Sequence, residues 1–250
     1  RSTLFPYTTL FRSAGMSMSL IPSVVNLFTL NKSEEVSNRI NQAMQIILFI
    51  SLPLIIGINL LSDCVWNVFY GYNDVGINIL RINIILGLFV NMLIVLSSAL
   101  QGMNKFKLVY MSNIMGFVCN IVLDVPLILL FNIIGYGYIG TIISSIIGYG
   151  LSISICLWGL KKECKVDYRE TILLLRKMLF PLVLVVVITL VLRGVIRFDI
   201  HSRLNCLLMI MVDGIVSLVL YIVISFKMGI VTKVFGSDII KKLTFGKLRV

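Results

Sequence analysis

Long apolar runs separated by short polar breaks set the pattern of this chain. One run extends from Ile84 to Leu100 and the next from Leu108 to Phe131. Each is long enough to cross about 30 Å of hydrocarbon at a rise of about 1.5 Å per residue. The break between them, Leu100–Val109, holds Gly102 and Asn104, residue types that tolerate the backbone angles ending a helix. This stretch predicts a helical hairpin in a membrane. Further runs lie at Ala14–Leu30, Ile40–Tyr70, Ile133–Leu160, Thr171–Leu192 and Leu204–Phe226. The expected fold is all-α: a polytopic helical membrane protein of about seven transmembrane helices, the first incomplete.

Composition removes the soluble alternative. The 250 residues are 58% hydrophobic and 13% charged, with a net charge of +11 and a mean hydropathy of +1.02. A soluble globule cannot cover itself with so little polar surface. The positive charge would suggest nucleic acid in a soluble chain. Here the basic residues lie between apolar runs, so they report topology and contact with anionic membrane lipids, and no nucleic acid is expected. With Lys105 and Lys107 set inside, alternate connections place sixteen basic residues inside against Arg81, Arg193, Arg197 and Arg203 outside. That bias predicts a multi-pass protein of the cell membrane with a cytoplasmic C-terminus.

Within the runs, three features predict local structure. Pro53 should kink its helix, since it removes a backbone donor. Trp66, Tyr70 and Tyr72 suit the headgroup level at the far end of that span. Gly140, Ser144, Gly148, Ser152 and Cys156 recur every four residues and form one small-residue ridge. Such ridges allow close helix approach in lipid, where packing replaces the hydrophobic drive; lining a substrate path is the rarer use.

Candidate chemistry is sparse. The sequence offers no paired carboxylates in a cleft, no nucleophile with its base, no Gly-rich phosphate loop and no metal-ligand spacing. An enzyme, a cofactor and a metal are therefore not expected. Cys64, Cys119, Cys156, Cys164 and Cys206 are scattered in mostly apolar context and read as core residues. His201 falls in a loop. What remains are ionisable residues at or near membrane depth: Asp213 at mid-span, Asp124 before Pro126, and Arg81 and Asp63 toward the outer side. A carboxylate at mid-depth costs on the order of 2.5–3.5 kcal/mol even on lenient scales, so such residues are candidates for ion handling. Asp63 or Asp124 is placed to pair with Arg81. Asn91, Asn113 and Asn120 suit interhelical hydrogen bonds.

Short motifs then appear in a telling order: Ser19-Leu20-Ile21-Pro22-Ser23, Ile40-Asn41-Gln42-Ala43, Leu52-Pro53, Leu100-Gln101-Gly102 with Lys105, and Gly135–Gly140. In this order, over residues 14–160, the chain resembles the C-terminal part of the polysaccharide-biosynthesis exporters. That group includes the stage V sporulation and lipid II flippase-like branch of the multidrug/oligosaccharidyl-lipid/polysaccharide, MATE-like superfamily. The resemblance implies a two-lobe transporter that carries a lipid-linked sugar across the membrane, here represented by its C-terminal bundle, with a missing N-terminal lobe as partner. It implies residues 14–160 as helices of that lobe, 161–177 as a cytoplasmic basic loop, 178–226 as two additional helices and 227–250 as a basic tail. The family's basic cavity residues lie largely on the absent helices, so none is transferred here. Thr3–Ser13 resembles a translated sequencing adapter, and residues 1–13 are expected to be non-native. Competing readings are an Na⁺- or H⁺-coupled multidrug extruder of the same superfamily, a membrane glycosyltransferase or polymerase, and a non-transporting assembly protein.

Overall fold

A computed structural model describes residues 21–235 other than 23, 31, 134 and 196–200. The described residues are helical almost throughout, with no strand among them. The helices are α1 (Ser33–Leu60), α2 (Ser62–Tyr70), α3 (Asp74–Asn83), α4 (Leu86–Gly102), α5 (Phe106–Asn132), α6 (Gly137–Cys164), α7 (Arg169–Val195), α8 (Arg203–Lys227) and α9 (Ile230–Phe235). Six spans are long and apolar enough to cross a membrane, with α3 and α4 together forming one of them. They match the second to seventh runs of the sequence. Of the first run, Ala14–Leu30, residues 14–20 and 23 fall outside the described residues, and residues 21, 22 and 24–29 are helical. Residues 1–13 and the tail beyond 235 also lie outside them.

The predicted hairpin turn joins α4 to α5. Asn104 takes a left-handed φ of 60°. Its N–H donates to the Gln101 carbonyl at 2.9 Å, and that of Lys105 to the Leu100 carbonyl at 2.9 Å. This pair of bonds satisfies carbonyls left open by the end of a helix. At the opposite end, Asn73 caps α3 by accepting from the N–H groups of Val75 and Gly76, the service an Asn N-cap provides.

Ion pairs and ring contacts sort the connections into two ends. Lys105 pairs with Glu163 at 2.7 Å and Lys233 with Glu170 at 3.7 Å, gathering the α4–α5 and α6–α7 turns and α9 at one end. Tyr72 and His201 meet as tilted rings at the other, with centroids 4.6 Å apart. The alternation read from the basic residues is therefore present in the fold.

The stretch 161–177, expected as a loop, is mostly helix. α6 runs to Cys164 and α7 begins at Arg169, leaving a four-residue turn in which Lys165 adopts φ 51°. Lys161 and Lys162 close α6, where cations offset the helix dipole. Basic residues in a headgroup layer remain compatible with helix; their charge alone does not signal a loop.

α1 is the central post. On one side Val36, Ile40 and Ala43 pack with Val95, Leu96, Ala99 and Leu100 of α4 and Leu160 of α6. On the other, Ile46 and Phe49 pack with Leu174, Met178 and Leu182 of α7, Tyr221 of α8 and Ile230 of α9. Pro53 lies within α1, and Leu61 separates that helix from α2. Buried polar side chains brace the post: Asn41 Nδ2 donates to the Asp167 carbonyl at 2.8 Å, and Thr171 Oγ1 donates to Asn41 Oδ1 at 2.9 Å.

Candidate functional site

Among the described residues, two polar places at membrane depth differ in their surroundings. The first is built by α7 and α8. Asp213 is 2% exposed and Thr189 fully buried. Thr189 Oγ1 donates to Asp213 Oδ2 at 3.1 Å, and Ser217, one turn along α8, donates to Oδ1 at 3.4 Å. The two hydroxyls also lie 3.4 Å apart. Asp213 thus faces protein, as its cost in hydrocarbon demands.

Asp213 and Ser217 also belong to the wall of a crevice of about 610 Å³. Phe49, Pro53, Gly57 and Ile58 of α1 form one side, Ile210, Leu218, Tyr221 and Ile222 of α8 the other, with Phe235 of α9 also in the wall. Gly57 and Gly214 leave open space where a Cβ would stand. Apart from the Asp213–Ser217 pair and the Tyr221 hydroxyl, which donates to the Phe49 carbonyl at 3.1 Å, this wall is apolar. Such a surface accommodates a hydrocarbon chain beside one carboxyl group.

The second place is the seam between α5 and α6. The ridge Gly140, Ser144, Gly148, Ser152 and Cys156 is buried along its length. It meets a matching row on α5: Ser112, Gly116, Asn120 and Asp124. Ser152 donates to the Ser112 carbonyl at 2.9 Å, and Cys156 Sγ lies 3.2 Å from Ser112 Oγ. Ser144 hydrogen-bonds to Asp124. Asn120 Nδ2 reaches Ser145 Oγ at 3.4 Å, while its Oδ1 is buried with no partner among the described residues. A carboxylate, a hydroxyl and an unused amide oxygen therefore cluster within the bundle. The sequence reading isolated Asp124 and the α6 ridge but missed the α5 row, although its four-residue spacing was the available signal.

Arg81 joins neither acid. Its Nε donates to Ser62 Oγ at 3.1 Å. Asp63 pairs instead with Arg193, which also donates to the Leu60 carbonyl. The pairing expected for Arg81 is thus corrected: the last turn of α7 brings Arg193 to the start of α2, and Arg81 is taken by the nearer hydroxyl. Asn91 reaches Ser51 at 3.3 Å between α4 and α1, as expected of an interhelical partner, whereas Asn113 sits on the exposed face of α5. Outside the spans, Tyr168 donates to the Leu157 carbonyl at 2.9 Å; burial pushes its hydroxyl up to about 12.

The MatE family matches residues 2–125. The match covers just under half of the chain. The matched interval runs through residues 2–13, which lie outside the described residues. The chain is 26% identical over 234 residues to the lipid II flippase MurJ of Bacillus subtilis (strain 168), an alignment spanning 90% of the chain and 42% of that relative. Its fold matches a solved structure of lipid II flippase MurJ in an inward closed conformation with a TM-score of 0.60, at 17% identity, over 88% of this chain and 45% of that one. The chain spans less than half the length of the relatives it matches. Coverage of nine-tenths of the chain carries this likeness beyond residue 160, where the resemblance read from the sequence motifs ends.

Proposed function

We propose that the complete protein is a transporter, not an enzyme, and moves a lipid-linked saccharide precursor of the cell envelope across the membrane. The observation that carries this reading is the similarity to a protein named as a lipid II flippase over nine-tenths of the chain. The crevice supports it: an apolar wall between α1 and α8 suits the lipid part of such a substrate. Alternating access between two lobes supplies the movement, with an N-terminal lobe completing the cavity. The basic end, including the α6–α7 turn, faces the cytoplasm and its anionic lipids.

A second reading, cation-coupled extrusion of drugs, draws on the Asp124, Ser144 and Asn120 oxygens. Liposomes holding the complete gene product separate the two. Flipping of a fluorescent polyprenyl-diphosphate saccharide is the expected result. Transport of cationic dyes without flipping would favour extrusion.

A further inference from the structure

We propose that Asp213 is a proton-binding site, and that its proton is coupled to the presence of a hydrocarbon chain in the α1–α8 crevice. The proposal rests on the lipid-linked reading above and adds to it how the lipid is sensed.

The carboxyl is almost fully buried, yet its residue belongs to the crevice wall. The groups facing it form a short set. From α7 come Thr189, hydrogen-bonded to it, and Arg193, one turn further along and engaged by Asp63 of α2. From α8 come Ser217 and, deeper in the crevice, the Tyr221 hydroxyl, which is turned to the Phe49 carbonyl. From α1 and α9 the facing residues are apolar, among them Phe49, Pro53 and Phe235. Asp213 has no ion pair among the described residues.

The two hydroxyl partners fit both forms of the acid. A carboxylate only accepts hydrogen bonds, whereas the protonated acid donates one. Each hydroxyl can turn from donor to acceptor, and the Thr189–Ser217 contact works in either direction. A proton taken from water onto one Asp213 oxygen therefore needs no movement of α7 or α8. The crevice sets the balance. When it is wet, water solvates the carboxylate. When a hydrocarbon chain fills it, that water leaves and the charge faces an apolar medium, which disfavours the ionised form. By linkage the effect is reciprocal, so the protonated protein holds the chain more tightly.

The experiment uses the complete gene product in phosphatidylcholine nanodiscs and a fluorescent polyprenol, a probe whose headgroup does not titrate. Affinity is measured from mildly acidic to mildly alkaline pH. The expected result is a wild-type affinity that falls with rising pH, by at most about tenfold per unit for one proton, and an Asp213→Asn variant that binds at the acid-side level with no slope. Gly57→Leu, which fills open space in the same wall, should abolish binding at every pH. A flat wild-type profile, or a slope retained in Asp213→Asn, overturns the proton site while leaving the crevice reading intact. Undiminished binding by Gly57→Leu overturns the crevice reading, and the coupling with it.

Discussion

Asn41 of α1 and Asp167 of the α6–α7 turn are joined across 126 residues, the amide Nδ2 donating to the backbone carbonyl at 2.8 Å. The same amide oxygen accepts from Thr171, so one side chain fixes the start of α7 against the central post. Removing it leaves a buried hydroxyl and a carbonyl without their partner. Each such loss costs about 1–3 kcal/mol. Asn41→Ala should lower the melting temperature of the protein in detergent clearly, and Asn41→Leu should not restore it, because the stranded groups remain. An unchanged melting temperature would show that water replaces the amide.

Gly148 gives a sharper contrast. A Cβ there would stand 2.8 Å from the Gly116 carbonyl oxygen of α5, a distance backbone cannot tolerate without shifting. Gly150, two residues on along α6, has open space at the same point. Gly148→Ala should therefore destabilise by about 1–3 kcal/mol through overpacking. Gly150→Ala should be neutral or slightly stabilising, since alanine is the better helix former. Thermal melting of the two purified variants checks the pair; equal behaviour would place the ridge away from α5.

Arg193 and Asp63 form the buried-side ion pair of the opposite end, at 26% and 13% side-chain exposure. A double-mutant cycle with Arg193→Ala and Asp63→Ala should show a coupling energy within about 0.5–3 kcal/mol. The same cycle with Arg81→Ala in place of Arg193→Ala should show none, because Arg81 is held by Ser62. Coupling of Arg81 to Asp63 would restore the pairing expected from the sequence.

These three cases show what the sequence made legible. The six described spans were readable because period and length suffice in hydrocarbon. The α6 ridge was readable because small residues every four positions most often serve close helix packing in lipid. Its partner on α5 was visible in principle, as Ser112, Gly116, Asn120 and Asp124 share that spacing, but larger polar residues in the row disguised it. Arg193–Asp63 was not legible: the two residues are 130 apart, and only the packing of α2 and α7 on α8 brings them together. The crevice was equally hidden, since its wall is assembled largely from α1 and from α8 and α9, which lie far from α1 in the chain. The helical ends at 161–177 were mistaken for loop because charge was taken as a break.

Tyr168 offers a pH test at the basic end. Its folded pKa of about 12 lies above the ordinary value of 10.0 because burial disfavours the phenolate. A group held protonated in the fold contributes constant stability below the unfolded value and loses it as pH rises through the folded one. Stability should therefore decline from about pH 10 to about pH 12, and Tyr168→Phe should decline less. Tyrosinate absorbance, read as wild type minus Tyr168→Phe, should show this residue titrating late. Ionisation at the ordinary value would mean the hydroxyl is reached by water.

The last prediction concerns which end lies inside. The structure gathers Lys105, Glu163, Glu170 and Lys233 at one end, and Tyr72, Asp74 and His201 at the other. Sixteen basic residues fall on connections of the first kind and four on the second. Lys and Arg are retained on the cytoplasmic side during insertion, so the first end should be cytoplasmic. Two exposed positions report this: Lys162, whose ammonium lies 5.2 Å from the centre of the Trp158 ring, and Asp74 at the start of α3. On a background without native cysteines, Lys162→Cys should resist an impermeant maleimide in whole cells and react only after permeabilisation. Asp74→Cys should react in intact cells. The reverse pattern would invert the protein in the membrane and would place the α6–α7 turn against the outer leaflet, where its basic residues have no insertion rule to explain them.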